Sequence, residues 1–335
     1  MERKLRVAVY GVGHLGKFHA RIWREHPRAE LVAVLDVDAE RARALAAELG
    51  CAALDPRAAP PAGLDLASVV VPTAQHEAVA VPLLERGVAC LIEKPIAPDP
   101  AAGARILAAA RRAGARVSVG HVERFQPGVR RVRELGLVPR FIECHRLTAF
   151  SFRSMDIGVV HDLMIHDLDL VLHLVGSPVA SLDAAGGAIL TEREDMASVR
   201  LVFENGARAN VTASRVSLSP MRRLRLFSAE SYVSLDFTKN YGMYVRKGPR
   251  WEEGRHLLAT LDPTQLAAQK DLVQGGMLEI GELQLDAEPR PLQAELDNFL
   301  VAVAEQREPE VSGADGLAAL ELAERIRRAL ETQRF

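Results

Sequence analysis

The chain has little cysteine: Cys51, Cys90 and Cys144 are the only three in 335 residues. An odd number spread this widely makes neither a disulfide framework nor a Cys-x-x-Cys zinc site, so all three are expected to be small buried hydrophobes. It also lacks an apolar run long enough to span a bilayer, and Met1-Glu2-Arg3-Lys4 leads straight into a strand-like segment with no signal-peptide core. A cytoplasmic protein with no membrane partner is expected. Charge of one sign is missing too, the formal net charge being −2. No basic field is present to attract nucleic acid, and the expected partner is a small molecule. What the chain does have is 48% hydrophobic residues, enough for a full core and, at this length, for two domains.

The N-terminal stretch organises the rest. Leu5-Arg6-Val7-Ala8-Val9-Tyr10 reads as a buried strand and runs directly into Gly11-Val12-Gly13-His14-Leu15-Gly16. Gly-x-Gly-x-x-Gly between a strand and a helix binds a dinucleotide. The first glycine permits the tight turn, the second lets a pyrophosphate touch the backbone, and the third lets the helix pack close to the strand. The backbone around His14 and Leu15 then faces the phosphates with the unpaired N–H groups of a helix N-terminus. Leu31–Leu35 supplies the next strand, and Asp36 at its end stands where a carboxylate accepts hydrogen bonds from the adenosine ribose. That acid would repel a 2′-phosphate, so NAD is expected; Arg41 or Arg43 leaves NADP possible.

Two further strand ends attract notice. Leu66–Val71 breaks at Pro72-Thr73 before a helix carrying His76, and Val88–Ile92 ends in Glu93-Lys94-Pro95. In an open parallel sheet the ligand crevice lies beyond the carboxyl ends of the strands, which places Pro72, Thr73, His76 and Glu93 toward the nicotinamide. For His76, a solvent-facing first-turn histidine is the competing reading. Lys94 at such a position can hold substrate hydroxyls and lower a nearby pKa by its charge, and the following proline allows a cis peptide to fix its direction.

Arg116–Val119 is the last strand of this pattern, and the domain boundary is expected at His121, giving domains over 1–121 and 122–335. Beyond it the pattern changes to one long helix and then strands at Phe141–Thr148, Ala197–Phe203, Ala207–Arg215, Arg222–Ser228, Ser231–Asp236 and Met243–Arg246, with a hairpin signal at Glu204-Asn205-Gly206. This is the pattern of a largely antiparallel sheet in an α+β domain. Leu292–Glu305 and Asp315–Arg334 read as two closing helices.

One segment of the second domain carries candidate chemistry. In the helix expected over Gly158–His173, the side chains of Asp162, His166, Asp169 and His173 follow at spacings of four, three and four, one polar stripe on an otherwise apolar helix. His166 can take a proton from a hydroxyl near neutral pH, and Asp162 can share the substrate or raise its basicity. A plain solvent face and a metal site are the alternatives. No metal is expected, because no further His or Cys cluster completes a coordination shell.

Taken together, Gly11-x-Gly13-x-x-Gly16, Glu93-Lys94-Pro95, Asp162-x-x-x-His166 and the tail Val311–Gly316 resemble the Gfo/Idh/MocA family of nicotinamide-dependent sugar and polyol oxidoreductases. The resemblance implies an α/β Rossmann domain with a second α+β domain built on an open, largely antiparallel sheet, in a homodimer or homotetramer. It implies Lys94 as the catalytic lysine, Asp162 as the residue that binds and orients substrate, and His166 as the acid/base. Glu123-Arg124-Phe125-Gln126-Pro127 together with Asp162-Leu163-Met164-Ile165-His166-Asp167 resembles the branch that oxidises the 3-hydroxyl of UDP-N-acetylglucosamine. A nucleotide sugar is therefore the expected substrate, with Glu123 and Arg124 binding it and Arg124, Arg153 and Arg215 available to its diphosphate. An inositol or free-sugar dehydrogenase, or a dinucleotide-binding sensor without turnover, are the alternatives.

Overall fold

The computed structural model describes residues 3–151, 157–258, 276–285 and 288–332. The chain divides into two units, Met1–Gln126 with Glu288–Arg325, and Pro127–Ala287 with Ile326–Phe335.

In the first unit six parallel strands, β1 (Leu5–Tyr10), β2 (Ala29–Leu35), β3 (Ala52–Leu54), β4 (Leu66–Val69), β5 (Ala89–Glu93) and β6 (Val117–Gly120), lie in the order β3-β2-β1-β4-β5-β6. This is the doubly wound order, and it reverses between β1 and β4. Side chains alternate across the sheet and build a core on each face. Val7 and Val9 of β1 pack with Trp23 and with Leu45 and Leu49. Ala8 and Tyr10 pack with Leu83, Leu84 and Ile106 on the other side. Those partners come from α1 (Gly16–Glu25), α2 (Ala39–Leu49), α3 (His76–Leu84) and α4 (Pro100–Ala113). Asp38 caps α2 by accepting from Arg41 N, Asp99 caps α4 by accepting from Ala102 N, and left-handed Gly50 and Gly114 end the two helices.

The tail corrects the expected division into two consecutive blocks. Leu296, Phe299 and Leu300 of the helix Pro291–Ala304 join the core around Trp23, and Val311 and Leu320 join the core on the opposite face. Residues Glu288–Arg325 thus belong with the first unit, whose forward part runs to Gln126 rather than His121. Burial of these side chains against the parallel sheet is the physical reason.

The second unit holds an eight-stranded sheet of order β14-β13-β12-β11-β7-β10-β9-β8. Its strands are β7 (Phe141–Leu147), β8 (Val179–Gly187), β9 (Met196–Phe203), β10 (Arg208–Ser214), β11 (Met221–Phe227), β12 (Ser231–Asp236), β13 (Tyr241–Lys247) and β14 (Leu278–Glu282). All neighbours pair antiparallel except β7 and β10, which run parallel. Burial alternates strictly along β7, so one face is covered while the other is half-exposed. The long helix expected after the boundary is short, α5 (Pro127–Glu134), and the chain turns at left-handed Gly136. A π-helical turn at Val160–Met164 leads into α6 (Ile165–Val175), and α7 (Trp251–Leu258) follows β13. Strands β3, β8 and β14 were not expected from the sequence. Cys90 and Cys144 are buried as expected, whereas Cys51 is half-buried.

Candidate active site

The three glycines of the first turn have three different environments. Gly11 has φ of +85°, and a Cβ there would stand 2.6 Å from the Val70 carbonyl oxygen. At Gly16 a Cβ would lie 1.9 Å from the Gly11 carbonyl oxygen, so the close approach of α1 to the turn needs glycine. At Gly13 a Cβ would meet nothing within 4 Å. The missing side chain at Gly13 therefore serves no internal packing and leaves the backbone open to a ligand. His14 and Leu15 are exposed beside it, ahead of the first turn of α1.

Asp36 follows β2 and is buried. Its Oδ2 accepts from Val12 N at 2.8 Å and its Oδ1 from Asp38 N at 2.9 Å, which locks the carboxylate against the glycine turn. Each oxygen also meets Arg41 Nη1, at 3.5 Å from Oδ1 and 3.4 Å from Oδ2, long contacts that a closer donor can displace. The Arg41 guanidinium is itself exposed.

At the carboxyl end of β4, Pro72 is exposed and Thr73 half-buried. His76 corrects both expectations for it, since its ring neither faces solvent nor stands open to a cofactor. It is fully buried, with Nε2 2.9 Å from the Val71 carbonyl oxygen and Nδ1 3.0 Å from that of Pro95. Burial pushes its pKa down from the usual value. His76 therefore ties the end of β4 to the segment after Lys94, whose Lys94–Pro95 bond is cis.

Glu93 ends β5 and Lys94 follows it. Glu93 Oε1 lies 3.1 Å from Nε2 of His19, a buried histidine of α1, and Glu93 Oε2 accepts from Lys94 N at 3.3 Å. His19 Nδ1 lies 3.3 Å from Ser68 Oγ, which accepts from Trp23 Nε1 at 2.8 Å. Sequence reasoning did not single out His19. Its signal was a histidine four residues before Trp23 on the face of α1 that meets the sheet.

In the second unit the helix expected to carry the chemistry begins as a π turn, a feature that recurs at functional sites. Asp162 lies in that turn and His166 is the second residue of α6; both are half-buried. The expected four-residue stripe does not hold as one open row, because Asp169 is wholly buried. Its neighbour Asp167 is buried in a two-point pair with Arg146 of β7, both contacts 2.8 Å, which pins α6 to the sheet. The start of the helix is held by the segment before β9. Val159 N donates to the Glu194 carbonyl at 2.9 Å, and Gly158 leaves room for the Glu194 carboxylate, which a Cβ would strike.

The structure also reassigns the arginines expected to face a diphosphate. Arg124 is 2% exposed, donates to the Glu310 carbonyl at 3.0 Å and stands 3.5 Å from Asp315, all within the first unit. Glu123, in the same buried 3-10 turn, is interior as well. Arg215 is buried, bonding Asp195 Oδ1 at 2.9 Å and the Ile157 carbonyl at 2.7 Å. Burial of Asp195 pushes its carboxyl up, but the amides of Ile189, Leu190 and Thr191 outweigh this and hold it at about 2. These arginines are internal ties rather than solvent-facing anion ligands. Arg153 lies outside the described residues. Among the described residues no group of three or more His, Cys, Asp and Glu side chains is arranged to hold a metal ion.

Two family models match the chain. One, described as an oxidoreductase family with an NAD-binding Rossmann fold, covers residues 5–121; the other, the GFO/IDH/MocA C-terminal domain, covers residues 139–232. The UDP-N-acetylglucosamine 3-dehydrogenase of Acidithiobacillus ferrooxidans is 36% identical over 328 residues, 98% of this chain and 97% of that one. Inositol 2-dehydrogenase 4 of Saccharopolyspora erythraea is 33% identical over 191 residues, 54% of this chain and 56% of that one. The solved structure of the Acidithiobacillus ferrooxidans enzyme matches with a TM-score of 0.84 at 35% identity, covering 99% of both chains.

Proposed function

Because the chain belongs to the Gfo/Idh/MocA oxidoreductases and is a sugar dehydrogenase of that family, we propose that it oxidises the 3-hydroxyl of UDP-N-acetylglucosamine or a related nucleotide sugar, with NAD as its cofactor. The observation that carries the substrate is the likeness to the Acidithiobacillus ferrooxidans enzyme at 36% identity over 98% of the chain, against 24% over the same share for the inositol 2-dehydrogenase of Rhizobium meliloti.

The residues of the first unit fit a dinucleotide. Gly13 offers open backbone, Gly11 and Gly16 hold the turn, and the locked Asp36 carboxylate can take ribose hydroxyls in place of its long Arg41 contacts. His14 and Leu15 offer backbone N–H groups toward the phosphates, and Pro72, Thr73 and Glu93 face the nicotinamide end. His76 supports that end from inside. When bound, the nicotinamide supplies the hydride acceptor.

The chain's own work is on the hydroxyl. His166 takes its proton, and Nε2 is the nitrogen for the task because Nδ1 is enclosed. The Lys94 ammonium favours the oxygen as it loses that proton, and Asp162 orients the sugar by accepting from a hydroxyl. The protein is proposed to act in the cytoplasm as a homodimer or homotetramer. Among the described residues no helix is long and apolar enough to cross a membrane.

The test is to mix enzyme, NAD and UDP-N-acetylglucosamine and look for a 3-keto sugar nucleotide by mass spectrometry, with enough enzyme to detect a single turnover. If no oxidised product forms even stoichiometrically while myo-inositol or glucose is turned over, the nucleotide-sugar reading fails.

A further inference from the structure

We propose that His19 is a positioning residue for the nicotinamide end of the cofactor site, holding Glu93 in place through a one-way hydrogen-bond chain that starts at Trp23. This rests on the reading that Glu93 faces the cofactor.

The direction of the chain follows from what each group can donate. An indole N–H only donates, so at 2.8 Å the Ser68 oxygen must accept from Trp23. The ionised Glu93 carboxylate only accepts and so takes its donor from His19 Nε2, which in the neutral imidazole leaves Nδ1 to accept the one proton of Ser68 at 3.3 Å. The imidazole proton thus sits on Nε2, 3.1 Å from Glu93 Oε1, and the chain ends at that carboxylate. Trp23, Ser68 and His19 are each 0% exposed, so bulk solvent does not reach these links. Glu93 alone reaches toward the surface, at the carboxyl end of β5.

The seat of the carboxylate is shaped as well. Gly120 on β6 pairs with Glu93, and a Cβ there would come within 2.8 Å of the carboxyl group. Glu93 Oε2 accepts from Lys94 N, so the rotation of this carboxylate is coupled to the backbone of the catalytic lysine. Serine, histidine and glutamate in this order match a hydrolytic triad, yet Ser68 is buried and its oxygen already accepts from Trp23. The chain therefore ends its action at Glu93 and attacks nothing.

Two substitutions separate a positioning role from plain core packing. His19→Gln places an amide nitrogen near the position of Nε2 and keeps a donor for Glu93. His19→Asn places its amide near Nδ1, where the carbonyl oxygen can accept the Ser68 proton, and offers Glu93 no donor. Titration of each variant with NAD, followed by fluorescence, should show His19→Asn weakened about 10-fold or more, as loss of a hydrogen bond to a charged group implies. Its kcat should fall alongside, with the KM for sugar little changed, and His19→Gln should recover most of both losses at a similar Tm. Equal losses in the two variants, or losses that follow Tm, would overturn the proposal. In the wild type, nitrogen-15 NMR of the histidines should show His19 protonated on Nε2 alone near pH 7.5; a proton on Nδ1 overturns the chain without any variant having to fold. Glu93→Gln tells the two possible failures apart. If it leaves NAD affinity unchanged, the reading of Glu93 is wrong and this proposal falls with it; if it weakens NAD while His19→Asn does not, the present inference alone fails.

Discussion

Gly13→Ala should separate cofactor binding from folding in one methyl group. The alanine Cβ would meet no atom of the protein within 4 Å, and Gly13 is not among the left-handed glycines, so neither packing nor backbone strain opposes it. The expected stability change is that of a neutral surface substitution, within about 0.5 kcal/mol. That corresponds to a shift in Tm of roughly 1–2 °C for a unit of this size. A pyrophosphate brought against this backbone would lose its approach. Each hydrogen bond from an amide to a charged oxygen is worth about 1.5–3 kcal/mol, so loss of one should raise the Kd for NAD about 10- to 100-fold. Gly16→Ala is the contrast. Its Cβ would fall 1.9 Å from a carbonyl oxygen of the same turn, so this variant should lose several degrees of Tm or fail to fold. Differential scanning fluorimetry without ligand and calorimetric titration with NAD measure the two effects. Wild-type NAD affinity in a well-folded Gly13→Ala would refute the placement of the pyrophosphate.

Other outcomes follow from the same residues. His166→Ala should lower kcat by about two to four orders of magnitude while leaving NAD affinity near wild type, read by steady-state kinetics beside titration; parallel loss of both would mark a structural histidine. Asp36→Ser should narrow the preference for NAD over NADP, because it removes the negative charge and leaves Arg41 beside the ribose position; tighter NADP binding by the wild type would show that Asp36 does not meet the ribose. Asp195 gives an acid limit. Its folded pKa of about 2 lies below the unfolded 3.8, so its stabilisation, about 2 kcal/mol, is fully present above about pH 5 and is lost as pH falls toward 2. Asp195→Asn should lower Tm at pH 7 and flatten the fall of Tm between pH 4 and 2.5; an unchanged acid profile would mean that other carboxylates dominate it.

Features set by neighbours along the chain were legible in the sequence. The glycine turn was, because φ at Gly11 and the approach of Gly16 are consequences of a strand running straight into a helix. The class of the second sheet was legible in the two-residue period that β7 displays as alternating burial. What the tertiary structure decided are matters of burial and of partners distant in sequence. Arg124 read as a phosphate ligand because a guanidinium suits phosphate, but its acceptor is the carbonyl of a residue 186 positions later, and that contact takes it inside. His76 took neither expected role, since carbonyls from two other segments converge on its ring. The return of the tail to the first unit depended on where Leu296, Phe299 and Leu300 find an apolar face, and His19 gained its meaning from a carboxylate 74 residues away. Local spacing and backbone dihedrals are encoded residue by residue, whereas whether a polar side chain meets solvent, ligand or a buried partner depends on which surfaces the folded chain brings against it.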